Sequence, residues 1–195
     1  MVAYINATAD SFAWCILTHI RGLFRIARWK IKHLDQTTKS EQFQRDVCRI
    51  SNIQEVAYRS TQLLESVLSN YFFKLYGLCI CILCMIMMIA VTASENSVLL
   101  MKMFLILCYI IWQIFAYSML GTELHTESTQ VADELFESQW YVRPVADQQL
   151  IRFMIMRAQR AAYITAGKFF YVTRITFMVS LRTAFSYFTV MRQVI

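Results

Sequence analysis

The chain has 195 residues, of which 57% are hydrophobic, and a formal net charge of +6, with only one proline and four glycines. So few turn-forming residues exclude a turn-rich β protein and favour long helices. Most lysines and arginines lie between Arg21 and Lys74 or between Arg143 and Arg192, on either side of apolar runs. This distribution is typical of the basic flanks of membrane spans and argues against a nucleic-acid partner.

The apolar runs are long enough to cross a membrane. Neither Leu75–Ser94 nor Met103–Thr122 contains a charged residue, and each has the ~20 residues needed to cross a ~30 Å hydrocarbon core. We therefore predict an all-α, polytopic membrane protein, a helical bundle with long cytosolic helical extensions. Residues 75–122 would form two transmembrane helices, and their short turn would be extracellular because the basic flanks lie inside.

Residues 1–34 predict a helix without a break. Residues 1–20 are moderately apolar and suit a transmembrane helix or the remnant of one. An apolar stripe follows, formed by Leu23, Ile26, Ala27, Ile31 and Leu34. The other side is basic and carries Arg21, Arg25, Arg28 and Lys32. This basic side is either a face near anionic headgroups or an ordinary solvated face.

The predicted cytosolic extension covers residues 21–74. Within it, the polar segment Asp35–Glu41 predicts a short loop, and Phe43–Lys74 predicts a second amphipathic helix that returns to the membrane. The apolar side of this helix comprises Val47, Ile50, Val56, Leu63, Leu64, Val67 and Leu68.

Residues 123–168 predict cytosolic helices. We expect the preceding span to end at Gly121. The segment Glu123–Glu137 is acidic and predicts a solvated helix face. It does not suggest a catalytic carboxylate pair, which needs a concave and partly desolvated site.

The second predicted helix of this segment begins at Pro144. Proline suits the first helical position because its missing N–H is not needed there, and Asp147 in the first turn suits the helix dipole. One side of the helix comprises Leu150, Phe153, Met154 and Ala161. We expect the helix to end at Thr165–Gly167, with Gly167 in a left-handed conformation.

Residues 169–195 predict a terminal, pore-like transmembrane helix. Small, polar or β-branched side chains recur at steps of three and four residues, and we call them the terminal stripe: Thr176, Val179, Thr183, Ser186, Val190 and Gln193. The opposite side carries Phe177, Leu181, Phe185 and Phe188. Spacing alone leaves two interpretations open, a packing face between close helices and the face of a pore or cavity.

Arginines interrupt the terminal helix at Arg174, Arg182 and Arg192. An arginine that faced lipid at mid-bilayer would cost roughly 2.5–3.5 kcal/mol or more. We therefore expect this helix to contact other helices or to line a wet cavity.

Three sequence motifs in the second half resemble the closing signature of insect odorant receptors. They are Met154–Arg160 (MIMRAQR), Thr165–Phe170 (TAGKFF) and Tyr187–Gln193 (YFTVMRQ). Weaker features agree, among them Gly121–Leu124 (GTEL) and Ser138–Tyr141 (SQWY). The resemblance covers essentially the whole chain, and its second half is the specific part.

The resemblance implies a seven-transmembrane protein with a cytosolic N-terminus and an extracellular C-terminus. Family members are tetrameric, odorant-gated, non-selective cation channels that share a co-receptor subunit, and their seventh helix is broken into two parts. Here Pro144–Thr165 would be the cytosolic anchor part and Thr173–Gln193 the pore part. The implied pore and gate residues are Val190, Gln193, Ser186 and Thr183, with Val190 at the hydrophobic gate and Gln193 just outside it. The implied anchor-interface residues are Arg157, Gln159, Arg160 and Gly167.

The resemblance also sets the expected partners. They are a co-receptor subunit in a hetero-tetramer, membrane lipid and a small volatile ligand in the full-length protein. No cofactor or metal site is expected. The chain is expected to be the C-terminal, roughly half-length portion of such a receptor, with Met1 entering partway through the fourth helix. Most of the odorant pocket could then not be built from it.

Two other functional classes differ from a channel subunit. A non-conducting membrane interaction module, or a non-functional truncated isoform, is the alternative to a channel subunit. An enzyme is not expected, because the sequence has no metalloprotease-type HExxH motif, no nucleophile elbow and no glycine-rich phosphate loop.

Overall fold

The structure, a computed structural model, describes residues 2–34, 40–92 and 97–194. Helices dominate these residues: α1 (Val2–Lys32), α2 (Ser40–Thr92), α3 (Ser97–Glu137), α4 (Val145–Ala158) and α5 (Arg174–Val194). A short 3-10 turn, Trp140–Val142, precedes α4, and two strands, β1 (Thr165–Ala166) and β2 (Phe170–Tyr171), lie between α4 and α5. The predicted all-α class is confirmed.

The described residues form two compact units. The extension unit comprises Met1–Leu64 and Glu123–Tyr163, and the span unit comprises Glu65–Thr122 and Ile164–Ile195. Because α2 and α3 are uninterrupted, each contributes residues to both units.

Helix α1 is continuous, as predicted. Its buried side chains recur at alternating steps of three and four residues: Leu17, Ile20, Phe24, Ala27 and Ile31. Such a repeat makes one stripe along a helix. The prediction placed Ile26 on this stripe, but Ile26 is exposed, because it lies two residues from Phe24 and such residues do not share a face.

Helix α2 begins at Ser40, so the end of the predicted Asp35–Glu41 loop is helical, and the rest of that loop lies outside the described residues. Three residues predicted on its apolar side are exposed: Val56, Leu63 and Val67. The buried stripe instead runs through two polar residues, Gln54 and Thr61. The Thr61 hydroxyl donates to the carbonyl oxygen of Ala57 at 2.8 Å, so its burial costs little.

A charge ladder joins α1 to α3 in the extension unit. The ion pairs are Arg21–Glu123, Arg25–Glu127, Arg28–Glu127, Arg28–Glu134 and Lys32–Glu134. The acidic residues that α1 meets are not a solvated face, since the side chains of Glu127 and Glu134 are only 13% and 16% exposed. The basic side of α1 is therefore paired within the chain, which neither interpretation of the sequence considered.

Helix α3 does not end at Gly121. It continues to Glu137, and Gly121 is buried in the helix interior. At its other end, α3 begins at Ser97. The short extracellular turn predicted between the two spans covers residues 94–97, and residues 94–96 lie outside the described residues.

Helix α4 follows Pro144, which is the residue before the first helical position and not the first itself. Its buried residues are Asp147, Ile151, Met154 and Ala158. Of the predicted apolar side, Met154 is buried, whereas Leu150 and Phe153 are exposed. Asp147 takes a buried position because its carboxylate accepts a hydrogen bond from the Gln44 amide at 2.7 Å.

Candidate functional site

A two-stranded hairpin connects α4 to α5. The prediction that the preceding helix extends to Thr165–Gly167 is wrong, because α4 ends at Ala158. The strands are antiparallel, and the paired residues are Thr165 with Tyr171 and Ala166 with Phe170. β-Branched and aromatic residues favour strands, so the local composition opposes a longer helix.

The hairpin turn is formed by Gly167 and Lys168. Gly167 has the predicted left-handed backbone, with φ of +61°, but it serves this turn and does not cap a helix. Lys168 also has a positive φ, of 62°, and the N–H of Phe169 donates to the carbonyl oxygen of Ala166 at 3.1 Å. Because Ala166 pairs with Phe170, residues 167–169 link the two strands. Lys168 and Phe169 are exposed at this tip.

The hairpin is fixed to α2 within the span unit. The backbone N–H of Gly167 donates to the carbonyl oxygen of Ser69 at 2.9 Å. The Thr165 hydroxyl donates to the Glu65 carboxylate at 2.6 Å. Two ring contacts extend this junction, Phe73 with Phe169 at 5.4 Å and Tyr76 with Phe170 at 5.3 Å between centroids.

The segment after the hairpin packs closely on α3. A methyl group built on Gly121 would collide with the backbone carbonyl oxygen of Val172. The backbone N–H of Val172 is already bonded to the carbonyl oxygen of Ile164 at 2.9 Å, so this segment has little freedom to move away. Gly121 therefore allows a close backbone approach and does not end a helix.

The first turn of α5 is capped by threonines. The backbone N–H of Arg174 donates to the Thr122 hydroxyl at 3.0 Å, and the N–H of Thr176 donates to the Thr173 hydroxyl at 3.4 Å. These bonds satisfy N–H groups that have no partner inside the helix. The start and direction of α5 are thus set by α3 and by its own cap.

Most of the terminal stripe is not covered by the span unit. Thr176 and Thr183 are half-buried, Val179, Ser186 and Val190 are exposed, and the side chain of Gln193 lies outside the described residues. Within the unit α5 packs through other residues. Phe177 meets the Phe115 ring edge-on at 5.6 Å, and Ala184 is buried beside Cys84.

A cavity of about 710 Å³ lies between α5, α2 and α3. Apolar side chains line most of it, including Leu83 of α2, Leu107 and Ile111 of α3, and Met178 of α5. Arg182 also lines it. Because the lining is otherwise apolar and Arg182 is exposed, the expectation that this helix contacts other helices or lines a wet cavity stays a prediction.

The predicted anchor residues fall into two groups. Arg157, Gln159 and Arg160 lie at or just beyond the end of α4 and are exposed, whereas Gly167 belongs to the hairpin of the span unit. The Arg157 guanidinium lies 4.5 Å from the centre of the Tyr58 ring. Burial raises the pKa of the Tyr58 phenol above 10, and the charge of Arg157 acts in the opposite direction.

Sequence reasoning missed the residues that hold the hairpin, notably Ser69, Thr122 and Gly121. One signal was available, because strand-forming residues on both sides of Gly167 and Lys168 are typical of a hairpin. Across residues 2–34, 40–92 and 97–194, no group of three or more His, Cys, Asp and Glu side chains is placed to hold a metal ion.

The family of the chain is shown by comparison with known proteins. The family model described as 7tm Odorant receptor matches residues 1–185. The chain belongs to this odorant receptor family. The resemblance read from the three sequence motifs is thus confirmed.

Individual relatives share less than 30% of their residues with this chain over the matched part. Odorant receptor 63a of Drosophila melanogaster is 27% identical over 101 residues, which are 52% of this chain and 24% of that protein. The Odorant receptor coreceptor of Anopheles gambiae is 29% identical over 87 residues, which are 45% of this chain and 18% of that protein. The chain spans less than half the length of the relatives it matches.

A solved structure shows the same fold. The insect olfactory receptor OR5 from Machilis hrabei, in complex with eugenol, matches with a TM-score of 0.81 at 21% identity, covering 92% of this chain and 46% of that one.

Membership of the odorant receptor family makes the chain part of a family of multi-pass plasma-membrane proteins. In agreement, α2 and α3 are long and apolar enough to cross a membrane by length and composition. The family comprises receptors, which confirms that the chain is not an enzyme.

Proposed function

We propose that this odorant receptor chain is a subunit of an odorant-gated, non-selective cation channel that acts with a co-receptor in smell perception. The observation that supports this most directly is the terminal stripe of α5. The rest of the span unit leaves this stripe largely uncovered and packs against other residues of α5. Small and hydroxyl-bearing side chains on an uncovered helix face suit the wall of an aqueous path.

The proposed topology places the chain before residue 75 in the cytosol and the C-terminus outside the cell. The extension unit supports this assignment, since its charge ladder uses side chains such as Arg25 and Lys32 that are more than half exposed. Charged groups exposed to this degree belong in water, because their exposure to the hydrocarbon core is costly.

The proposed gate is formed by Val190, which is 57% exposed on α5. A ring of four such valines would make a narrow apolar constriction that excludes water and ions until it widens. Thr183 and Ser186 would line the path on the cytosolic side of this ring. Gln193 would lie just outside it.

The proposed subunit interface lies on the extension unit. Arg157, Gln159 and Arg160 would contact neighbouring subunits, and Gly167 would shape the hairpin that leads into α5. The proposed partners are a co-receptor subunit in a hetero-tetramer, membrane lipid and a small volatile ligand bound by the whole receptor. Similarity to a coreceptor over 87 residues supports a related mode of assembly.

The test is a current measurement on cells that express a co-receptor together with either the wild-type chain or Val190→Ser. Because a hydroxyl would hydrate the constriction, the substitution should raise the current in the absence of odorant. Phe185→Ser, at an exposed position on another side of α5, is the matched control and should leave the resting current unchanged. A Val190→Ser variant that conducts like the wild type would count against the gate.

A second candidate function is a non-conducting interaction module that assembles with full-length subunits and modulates them. Exposed apolar side chains on and beside α4 favour it, among them Val145, Phe153 and Met156. Co-purification with full-length subunits, with neither current from the chain nor an effect of Val190→Ser, would support this alternative.

A further inference from the structure

The β1–β2 hairpin lies at the level where the charge-free runs end. Its contact residue Phe73 stands two positions before Leu75, and Ser69 stands six positions before it, which is about 9 Å along a helix. On the other side, the N–H of Arg174 is bonded to Thr122, the last residue of the second run. The headgroup layer on each side of a bilayer is roughly 5–7 Å thick, so the hairpin is at headgroup depth.

Aromatic rings and cations share this surface. Phe169 is 79% exposed and Phe73 is 46% exposed, although their rings touch each other. The three cations of this surface, Lys74, Lys168 and Arg174, are exposed. No ion pair with a described residue neutralises them, because every ion pair in residues 2–34, 40–92 and 97–194 lies in the extension unit.

The nearest carboxylate in the hairpin junction does not cancel these charges. Glu65 is half-buried and accepts the hydrogen bond from Thr165, on the side of the hairpin that meets α2. The tip at Lys168 and Phe169 is held in place by the bond from Phe169 to Ala166 and by the bond from Gly167 to Ser69. The surface is therefore a fixed one, with net positive charge.

We propose that the hairpin tip and the adjoining end of α2 bind the headgroups of anionic phospholipids in the leaflet on that side of the membrane. Lysine and arginine attract the phosphate and carboxylate groups of such lipids, and exposed phenylalanine rings beside them can be buried at the boundary between headgroups and acyl chains. The cytosolic leaflet carries the anionic lipids, so this inference rests on the topology proposed above. It does not depend on channel activity.

A soluble anion would not account for the whole surface. A free phosphate can use the three cations, but it leaves Phe73 and Phe169 in contact with water. A lipid bilayer covers both the rings and the charges at one depth. The hairpin would thereby hold the start of α5 at a set height in the membrane.

The experiment measures lipid retained by the purified chain in detergent, by native mass spectrometry, with phosphatidylserine or phosphatidylcholine added. The wild type should retain phosphatidylserine in preference. Lys168→Asn should lower the apparent affinity for phosphatidylserine about fivefold, as expected for the loss of one cation near an anionic surface. Asparagine tolerates positive φ, so the turn should persist in this variant.

The matched control is Arg152→Asn, which removes an exposed cation beside an exposed phenylalanine, Phe153, on α4. It should leave the lipid preference unchanged. Phe169→Ser should weaken retention of both lipids. Equal retention of the two lipids by the wild type, an unchanged preference in Lys168→Asn, or full competition by inositol hexakisphosphate would overturn the proposal. Because no current is measured, its failure is distinct from failure of the proposed channel.

Discussion

Each of the two units of this odorant receptor chain is stabilised internally by a different kind of interaction. In the extension unit, charged side chains of α1 and α3 form a ladder around a regular apolar stripe. In the span unit, helices and hairpin meet through close backbone approach, hydroxyl contacts and ring edges, as at Gly121 and between Tyr76 and Ser118. The described residues of the span unit form no ion pair.

The difference is the one expected if the extension unit faces water and the span unit lies in lipid, as proposed above. Ion pairs at partly exposed sites are compatible with water on one side. Among apolar spans there is no hydrophobic driving force between helices, so small residues and hydroxyl groups provide the packing and the hydrogen bonds. The following substitutions test this contrast, beginning with the largest expected effect.

Gly121→Ala should destabilise the span unit most. Its methyl group would collide with the carbonyl oxygen of Val172, which is backbone and cannot rotate away, and overpacking costs typically 1–3 kcal/mol. Gly77→Ala is the matched control in α2, since nothing lies within 4 Å of a Cβ there. Thermal unfolding in detergent should show a lower midpoint for Gly121→Ala alone. Equal midpoints for the two variants would refute the close approach.

Arg28→Glu should be the most damaging single change in the charge ladder. Arg28 contacts Glu127 at 2.9 Å and Glu134 at 3.4 Å, and replacing it by a third carboxylate should cost on the order of 1–2 kcal/mol. The double variant Arg28→Glu, Glu127→Arg should recover part of this loss. High salt should narrow the gap between the single variant and the wild type. A double variant less stable than the single one would contradict the ladder.

Tyr76→Phe should cost about 1 kcal/mol. It removes the buried hydroxyl that lies 2.6 Å from the Ser118 hydroxyl in the span unit. Tyr109→Phe, at an exposed tyrosine of α3, should leave the unfolding midpoint unchanged. Unlike the ladder variants, Tyr76→Phe should respond little to salt, because no charge is involved. A strong salt response would show that the two units do not differ as described.

Tyr58→Phe should have the smallest effect, and its distinguishing feature is the change in pH dependence at alkaline pH. The folded-state pKa of Tyr58 lies above its ordinary value of 10 because the phenol is buried. Its contribution is therefore present below pH 10 and is lost as the pH rises through the folded-state pKa. Stability measured across that range should fall less steeply in Tyr58→Phe than in the wild type. Parallel curves would argue against burial of the phenol.

Helix existence and fold class could be predicted from the sequence because they depend on local patterns. The charge-free runs predicted two long apolar helices, which α2 and α3 contain, and three-four periodicity predicted α1 and the terminal helix. Position on a face was less reliable. Ile26 and Val56 were assigned to buried faces because they are hydrophobic, but both are exposed. Burial depends on where other helices pack, and polar Gln54 is buried for that reason.

Pairing between distant segments could not be read from one chain. Arg28 and Glu127 each have a regular spacing on their own helix, but nothing in the sequence states that these two helices meet. The same holds for Gly121, whose role depends on Val172. The stripe residues Thr183, Ser186 and Val190 were found from spacing, and their part in a pore stays a prediction.

The central claim, that the terminal stripe lines a pore, is tested most directly by cysteine accessibility. Single cysteines at Thr183, Ser186, Val190, Leu181 and Phe185 would be co-expressed with a co-receptor and treated with a charged thiol reagent while odorant-evoked current is recorded. The account predicts that current changes at Thr183, Ser186 and Val190, with no effect at Leu181 and Phe185. Equal effects at all five positions, or effects only at Leu181 and Phe185, would contradict it.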